Sequence, residues 1–220
     1  MVAFQELLEG YSKTTFQAPL PHISLVDAYD YLQARADGGR VFTALLDLQI
    51  NSLLVFADIH SMGATWNSLF SKGKLEGGSV LDSHIKFDGK MEIHRSNTSF
   101  VLRYRAIWDK IMGLMVLMHA PAQYENFMKA KSRKKEFIKI AMANGFADEV
   151  FLNNLGDLLT SFDNKFRTAE AHGSGVLRKY SFVMESLEKN PQIELVEYWN
   201  KVNQFLLNYG KIFTDSQKNA

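Results

Sequence analysis

Apolar residues along this chain recur mainly at three- and four-residue intervals, the spacing that places them on one face of an α-helix. Phe4, Leu7, Leu8 and Tyr11 predict a first short helix, and Pro19 and Pro21 then break the chain. Ser24 precedes Leu25, Val26, Tyr29 and Leu32, with Asp27 three residues on, a helix start that resembles a capping box. Gly38-Gly39 closes that helix. From residue 41 to about residue 60 the chain is nearly all apolar, so the helix predicted there is packed by several neighbours. Its polar stripe, Asp47, Asn51 and Asp58, falls within a sector roughly 40° wide at about 100° per residue. The stripe is either the solvent-facing edge of the helix, or two carboxylates in a polar cavity able to position a cation or a base.

Residues 84–94 alternate apolar and polar around Asp88-Gly89, the usual hairpin signal, and predict one small β-hairpin. Its register is open, since Phe87 can face either Met91 or Lys90. In the first register His84, Glu92 and His94 share a face, but at no spacing specific to a metal site. Residues 100–118 form the longest predicted helix, with Phe100, Tyr104, Ile107, Trp108, Ile111, Met115 and Met118 on its core face and Pro121 after its end. Residues 148–165, 176–187 and 193–212 predict three more helices, the second stopped by Asn190-Pro191. The tail from Thr214 to Ala220 is expected to fray. The expected fold is an all-α antiparallel helical bundle, with a β-hairpin near 84–94, in a single domain over residues 1–220.

Composition narrows the chemistry. A hydrophobic share of 46% and a charged share of 22% over 220 residues describe a globular chain, not a disordered one. The absence of cysteine removes disulfide frameworks, cysteine zinc sites and thiol catalysis. With 25 basic and 24 acidic residues the net charge is +1, too small for wholesale coating of a polyanion. The longest uncharged run, residues 111–124, has 14 residues, short of the roughly 20 that a membrane span needs. The first residues lack the basic and apolar regions of a secretory signal. A cytoplasmic location without a membrane partner is the expectation.

Two stretches carry candidate chemistry. From Lys129 to Lys139 six basic residues stand against one acid, among them Lys131, Arg133, Lys134 and Lys135. The run is either a solvated helix face or a contact for a nucleic-acid backbone. The second stretch, residues 163–180, holds Arg167 and His172 at a junction of two helices, followed by Gly173, Ser174, Gly175, Arg178 and Lys179. Glycines let backbone amides approach a ligand, and a helix start offers free N–H groups to an anion. Arg167 can clamp phosphate oxygens through two parallel hydrogen bonds, and His172 can exchange a proton near neutral pH. On a continuous α-helix the two lie about 140° and roughly 7.5 Å of rise apart. Such chemistry requires neither metal nor cofactor. The same residues also suit a purely structural turn, with Arg167 and His172 paired to Asp163 and Glu170.

Arg167-Thr-Ala-Glu-Ala-His172 resembles the R-x4-H motif of the HEPN superfamily (higher eukaryotes and prokaryotes nucleotide-binding). The resemblance implies a small α-helical bundle and a homodimer whose paired Arg167 and His172 line an RNA-cleaving cleft. It further implies metal-independent cleavage by attack of the RNA 2′-hydroxyl, leaving a cyclic phosphate. Thr168 follows the arginine where catalytic members commonly carry a polar residue, often asparagine. The alternative is a non-catalytic helical module that binds a nucleotide, RNA or a protein partner. A carboxylate enzyme built on Asp47 and Asp58 ranks third.

Overall fold

In a computed structural model of the chain, residues 25–70, 80–172, 175–182 and 191–215 are described. All regular structure among them is helical. The helices are α1 (Leu25–Leu32), α2 (Gly38–Phe70), α3 (Val80–His119), α4 (Tyr124–Lys129), α5 (Arg133–Asn144), α6 (Glu149–Phe162), α7 (Ala169–Ala171), α8 (Val176–Phe182) and α9 (Pro191–Asp215). A short 3₁₀ turn, Pro121–Gln123, precedes α4, and a π-helical segment, Asp163–Thr168, joins α6 to α7. The helix predicted from Phe4, Leu7, Leu8 and Tyr11 lies outside the described residues, as do Gly173, Ser174 and the last five positions of the tail.

The hairpin expected near residues 84–94 is replaced by helix, because this segment is the first part of the 40-residue α3. Ile93, Ser96, Asn97, Phe100 and Tyr104 are all buried, at successive steps of three, one, three and four. The core face of the predicted 100–118 helix therefore continues backward through two polar residues that apolar periodicity does not register. With the strands gone, the metal-face reading of His84, Glu92 and His94 loses its geometry. Glu92 instead takes two hydrogen bonds from Arg95, one of them 2.8 Å long.

Gly38-Gly39 opens α2 and does not close α1. Arg35 clasps both carboxylate oxygens of Asp37, at 2.9 and 3.0 Å, and the Asp37 carbonyl accepts from the amides of Arg40 and Val41. The guanidinium beside it holds the Asp37 carboxyl below its ordinary range. A Cβ on Gly38 would overlap the Leu32 carbonyl, so this turn requires a glycine at that position.

Contacts divide the chain into two compact units. Among the described residues the first comprises those within 53–103 and 163–201, and the second those within 25–52, 104–162 and 202–215. In the first unit α2 and α3 run antiparallel, since Asp58 meets Ser99 at 3.0 Å and Ser61 meets Ser96 at 3.2 Å. Val55, Ile59, Phe100, Phe166, Leu195 and Trp199 make its core. In the second unit Tyr104 packs on Phe162 with centroids 4.3 Å apart. Gly113 lets Phe127 approach so closely that a Cβ there would sit 3.3 Å from the ring.

The stretch Gly38–Ser61, with mean hydropathy 1.4 over its most apolar window, is long and apolar enough to cross a membrane. A third of that window is buried, less than the packing on several sides expected from its sequence. Leu46 and Ile50 are exposed beside Asp47.

Helical structure through Asp88-Gly89 makes one substitution diagnostic. A mid-helix glycine costs about 0.5–1 kcal/mol relative to alanine, whereas a hairpin glycine at positive φ resists replacement. Gly89→Ala is expected to raise the melting temperature by about 2–4 °C per kcal/mol gained. A fall in thermal unfolding experiments would restore the hairpin.

Candidate functional site

The junction between α6 and α8 is built around a change of helical winding. From Asp163 to Thr168 the chain adopts the wider π form, and Phe166 within it is fully buried, meeting Tyr198 edge-on at 5.8 Å. Such π segments occur frequently at functional sites, because they re-aim the side chains on them. Lys165 is anchored to both carboxylate oxygens of Glu194 at 2.6 Å. Arg167 points outward with its side chain about half exposed, and its only ion pair among the described residues, to Asp163, is 3.8 Å long. A contact of that length is weak, and although Asp163 is partly buried the guanidinium remains accessible.

His172 follows one short turn later, its backbone amide donating to the Thr168 carbonyl at 3.1 Å. Its imidazole is exposed and has no side-chain partner among the described residues. Arg178 and Lys179, on α8, are likewise exposed and without side-chain partners among the described residues. The structural pairing considered for these residues is thus present only as the loose Arg167–Asp163 contact.

Glu170 has a role that the sequence did not disclose. Its Oε1 accepts the backbone N–H of Leu177 at 2.8 Å, capping the start of α8 from seven residues upstream. Gly175 makes room for this, since a Cβ there would overlap the Glu170 carboxylate. Of the α8-start amides expected with Gly175 to cradle a phosphate, that of Leu177 is taken by the protein's own carboxylate. Gly173 and Ser174, named with them, lie outside the described residues. A glutamate followed five residues later by glycine was the available signal, and it is too common to be specific.

The basic run belongs to the second unit, whereas Arg167 and His172 belong to the first. It is not one helix face. Helix α4 ends at Lys129, Ala130 is extended, and α5 begins at Arg133. Lys134 donates to Thr160 at 2.7 Å and Lys139 to Glu136 at 3.3 Å. Lys131, Arg133 and Lys135 have no side-chain partners among the described residues. Three cations on the first turn of α5 oppose the helix dipole, which favours negative charge there.

The carboxylate stripe on α2 does not assemble into a cation site. Asp47 pairs with Lys110 and accepts from Asn51 at 3.0 Å. Asp58 accepts from Ser99 and lies 3.3 Å from Arg103, while burial pushes its carboxyl above the ordinary range. No group of three or more His, Asp or Glu side chains suited to a metal occurs among the described residues. Sequence reasoning also missed an aromatic cavity in the second unit, lined by His119, Phe146, Phe205 and Tyr209, because its walls lie up to 90 residues apart.

No known protein family, curated protein or solved structure matches this chain.

The Glu170 cap yields a paired expectation. Gly175→Ala should destabilise the protein by about 1–3 kcal/mol, because either the cap or the backbone must move. Glu170→Gln, which keeps an acceptor oxygen, should cost less than Glu170→Ala. Denaturant unfolding of the three variants checks this ranking, and an unchanged Gly175→Ala would remove the cap from the account.

Proposed function

We propose that the protein is a metal-independent ribonuclease resembling the HEPN superfamily, with Arg167 and His172 as its catalytic pair. One observation carries this reading. Arg167 and His172 stand exposed on successive turns, and the acid between them, Glu170, is hydrogen-bonded to the α8 amide. Held there, Glu170 is engaged away from an ion pair with Arg167, whose exposed guanidinium can attract an anion.

In this mechanism Arg167 grips the scissile phosphate through two parallel N–H donors and stabilises the charge that develops on it. His172 exchanges protons with the attacking 2′-hydroxyl or the departing 5′-oxygen. The ribose oxygen attacks phosphorus, the bond to the 5′-oxygen breaks, and a 2′,3′-cyclic phosphate and a 5′-hydroxyl remain. Arg178 and Lys179 bind neighbouring phosphates by side-chain charge alone. The Lys131, Arg133, Lys134 and Lys135 stretch attracts the RNA backbone over a longer range. The active form is a homodimer, located in the cytoplasm, with RNA as its partner.

A second reading is favoured by the same cap. If the Glu170–Leu177 bond serves only to fix the α7–α8 turn, the protein binds RNA, a nucleotide or a protein without cutting anything.

Incubation with single-stranded RNA in EDTA separates the two. The ribonuclease reading expects cyclic-phosphate products, and losses of about 10²–10⁴-fold in His172→Ala. Arg167→Ala should lose at least as much, with unfolding transitions unchanged in both variants. Salt-sensitive RNA binding with no cleavage at any protein concentration selects the binding module. A drop of several degrees in the melting temperature of His172→Ala would make that residue structural.

A further inference from the structure

Helix α2 leaves an apolar seam in solvent within the second unit. Gly39, Thr43, Leu46 and Ile50 are all exposed, and at about 100° per residue they fall within about 60° of one another. Their steps of four, three and four are those of a seam at which two helices interlock. Gly39 and Thr43 make the first half of the seam shallow, whereas Leu46 and Ile50 project from the second half.

Charges flank this seam on one side. Arg40 and Asp47 lie about 70–90° from its centre. They stand seven residues apart, each with its side chain more than half exposed. Arg40 meets Glu125 at 3.2 Å and lies over the Tyr124 ring, and Asp47 pairs with Lys110. Such exposed pairs contribute little, and a guanidinium and a carboxylate each keep capacity for another partner. On the other side of the seam, beside Gly39, opens a cavity of about 240 Å³ whose walls include Tyr29, Leu32, Gly38 and Phe42. It is smaller than most small-molecule sites, and Tyr29 in its wall is exposed.

We propose that this face binds a second copy of the chain, with the two α2 helices antiparallel about a two-fold axis level with Thr43 and Ala44. In that arrangement the same flank of both helices meets. Arg40 comes level with the partner's Asp47, and by symmetry opposite charges face each other twice. The partner's Leu46 and Ile50 come level with Val41 and Asp37, alongside the cavity, where an apolar side chain suits a space too small for most ligands. A projecting half and a shallow half on one seam are self-complementary, as a two-fold contact requires. A parallel pair would put the charges on opposite flanks, where they do not meet. A lipid surface gains from Leu46 and Ile50 but must accept the Asp47 carboxylate between them. The seam from Gly39 to Ile50 is about 16 Å long, so the contact lies at the small end of specific interfaces and forms with concentration. All of these residues belong to the second unit, whereas Arg167 and His172 belong to the first. The contact is therefore separate from the dimer proposed for RNA cleavage.

Sedimentation velocity of the full chain without RNA, over a concentration series, tests this. A monomer–dimer equilibrium is expected, and Ile50→Glu should weaken it at least tenfold. Arg40→Glu and Asp47→Lys should each do the same, because like charges then face each other. Mixed in equal amounts, these two charge variants should recover the dimer, since every facing pair is opposite again. Circular dichroism establishes that each variant is folded, and Leu46→Glu serves in place of any that is not. Arg167→Ala should associate as the unaltered chain does. A monomer at every concentration, a dimer that persists in folded Ile50→Glu or Leu46→Glu protein, or no association in the mixture would overturn the proposal. Loss of the dimer in Arg167→Ala would do so by moving the contact to the α6–α8 junction. A monomer that floats with phosphatidylserine vesicles until Ile50→Glu releases it would overturn it in favour of a lipid surface.

Discussion

The carboxylate of Glu170 is committed to the Leu177 amide, and the shape of the α6–α8 junction depends on that commitment. A helix start leaves backbone donors unsatisfied, and a side-chain oxygen reaching one of them is the usual remedy. Here the acceptor comes from the preceding turn and passes over Gly175, where a side chain would overlap it. The bond thus fixes where α8 begins and holds Arg178 and Lys179 on the element that follows His172. It also engages the acid nearest to Arg167 and His172 in sequence. One hydrogen bond therefore fixes the shape of the turn and the partner of its acid.

The long helices follow a different logic. Isolated helices draw little stability from propensity, so α2 and α3 must gain theirs from packing. In the first unit they are joined by polar as well as apolar contacts: Ser61 with Ser96 and Glu92, and Asp58 with Ser99 and Arg103. Directional bonds of this kind fix register, because sliding one helix by a residue would break several at once. In the second unit the apolar face of α2 is covered incompletely, with Leu46 and Ile50 left in solvent beside the Asp47–Lys110 pair. That exposure explains why Gly38–Ser61 combines high hydropathy with limited burial.

The same distinction explains what could be read from sequence. Residues 100–118 were legible because their buried positions are apolar at helical spacing, and α6 and α9 were legible for the same reason. Residues 84–94 were misread because Phe87 and Met91, which suggested strand alternation, are exposed, while the buried Ser96 and Asn97 look like surface residues. The Gly38-Gly39 pair was assigned to a helix end because glycine is common there, whereas the Arg35–Asp37 clasp makes it a helix start. Arg167 and His172 were visible as a spaced pair on one short segment. The Glu170 cap and the aromatic cavity were not, since each depends on where the chain returns in space: seven residues later in one case, and some ninety in the other.

An exposed arginine and an exposed imidazole are weak catalysts by themselves. Water screens the guanidinium, and solvent competes with the substrate for the proton. Electrostatic stabilisation of a phosphorane-like transition state is strong only where water is excluded and the donors are held in place. The loose 3.8 Å tether to Asp163 holds Arg167 too weakly for that. Under the proposed reading, cleavage by this turn would require something to cover it, and a second copy related by a two-fold axis would do so with the correct chemistry. It would close the site with another arginine and another histidine, doubling the positive charge that faces the phosphate. Two such cationic turns would repel each other when empty, so a dimer of this kind should tighten on RNA, and cleavage would then be confined to the assembled pair.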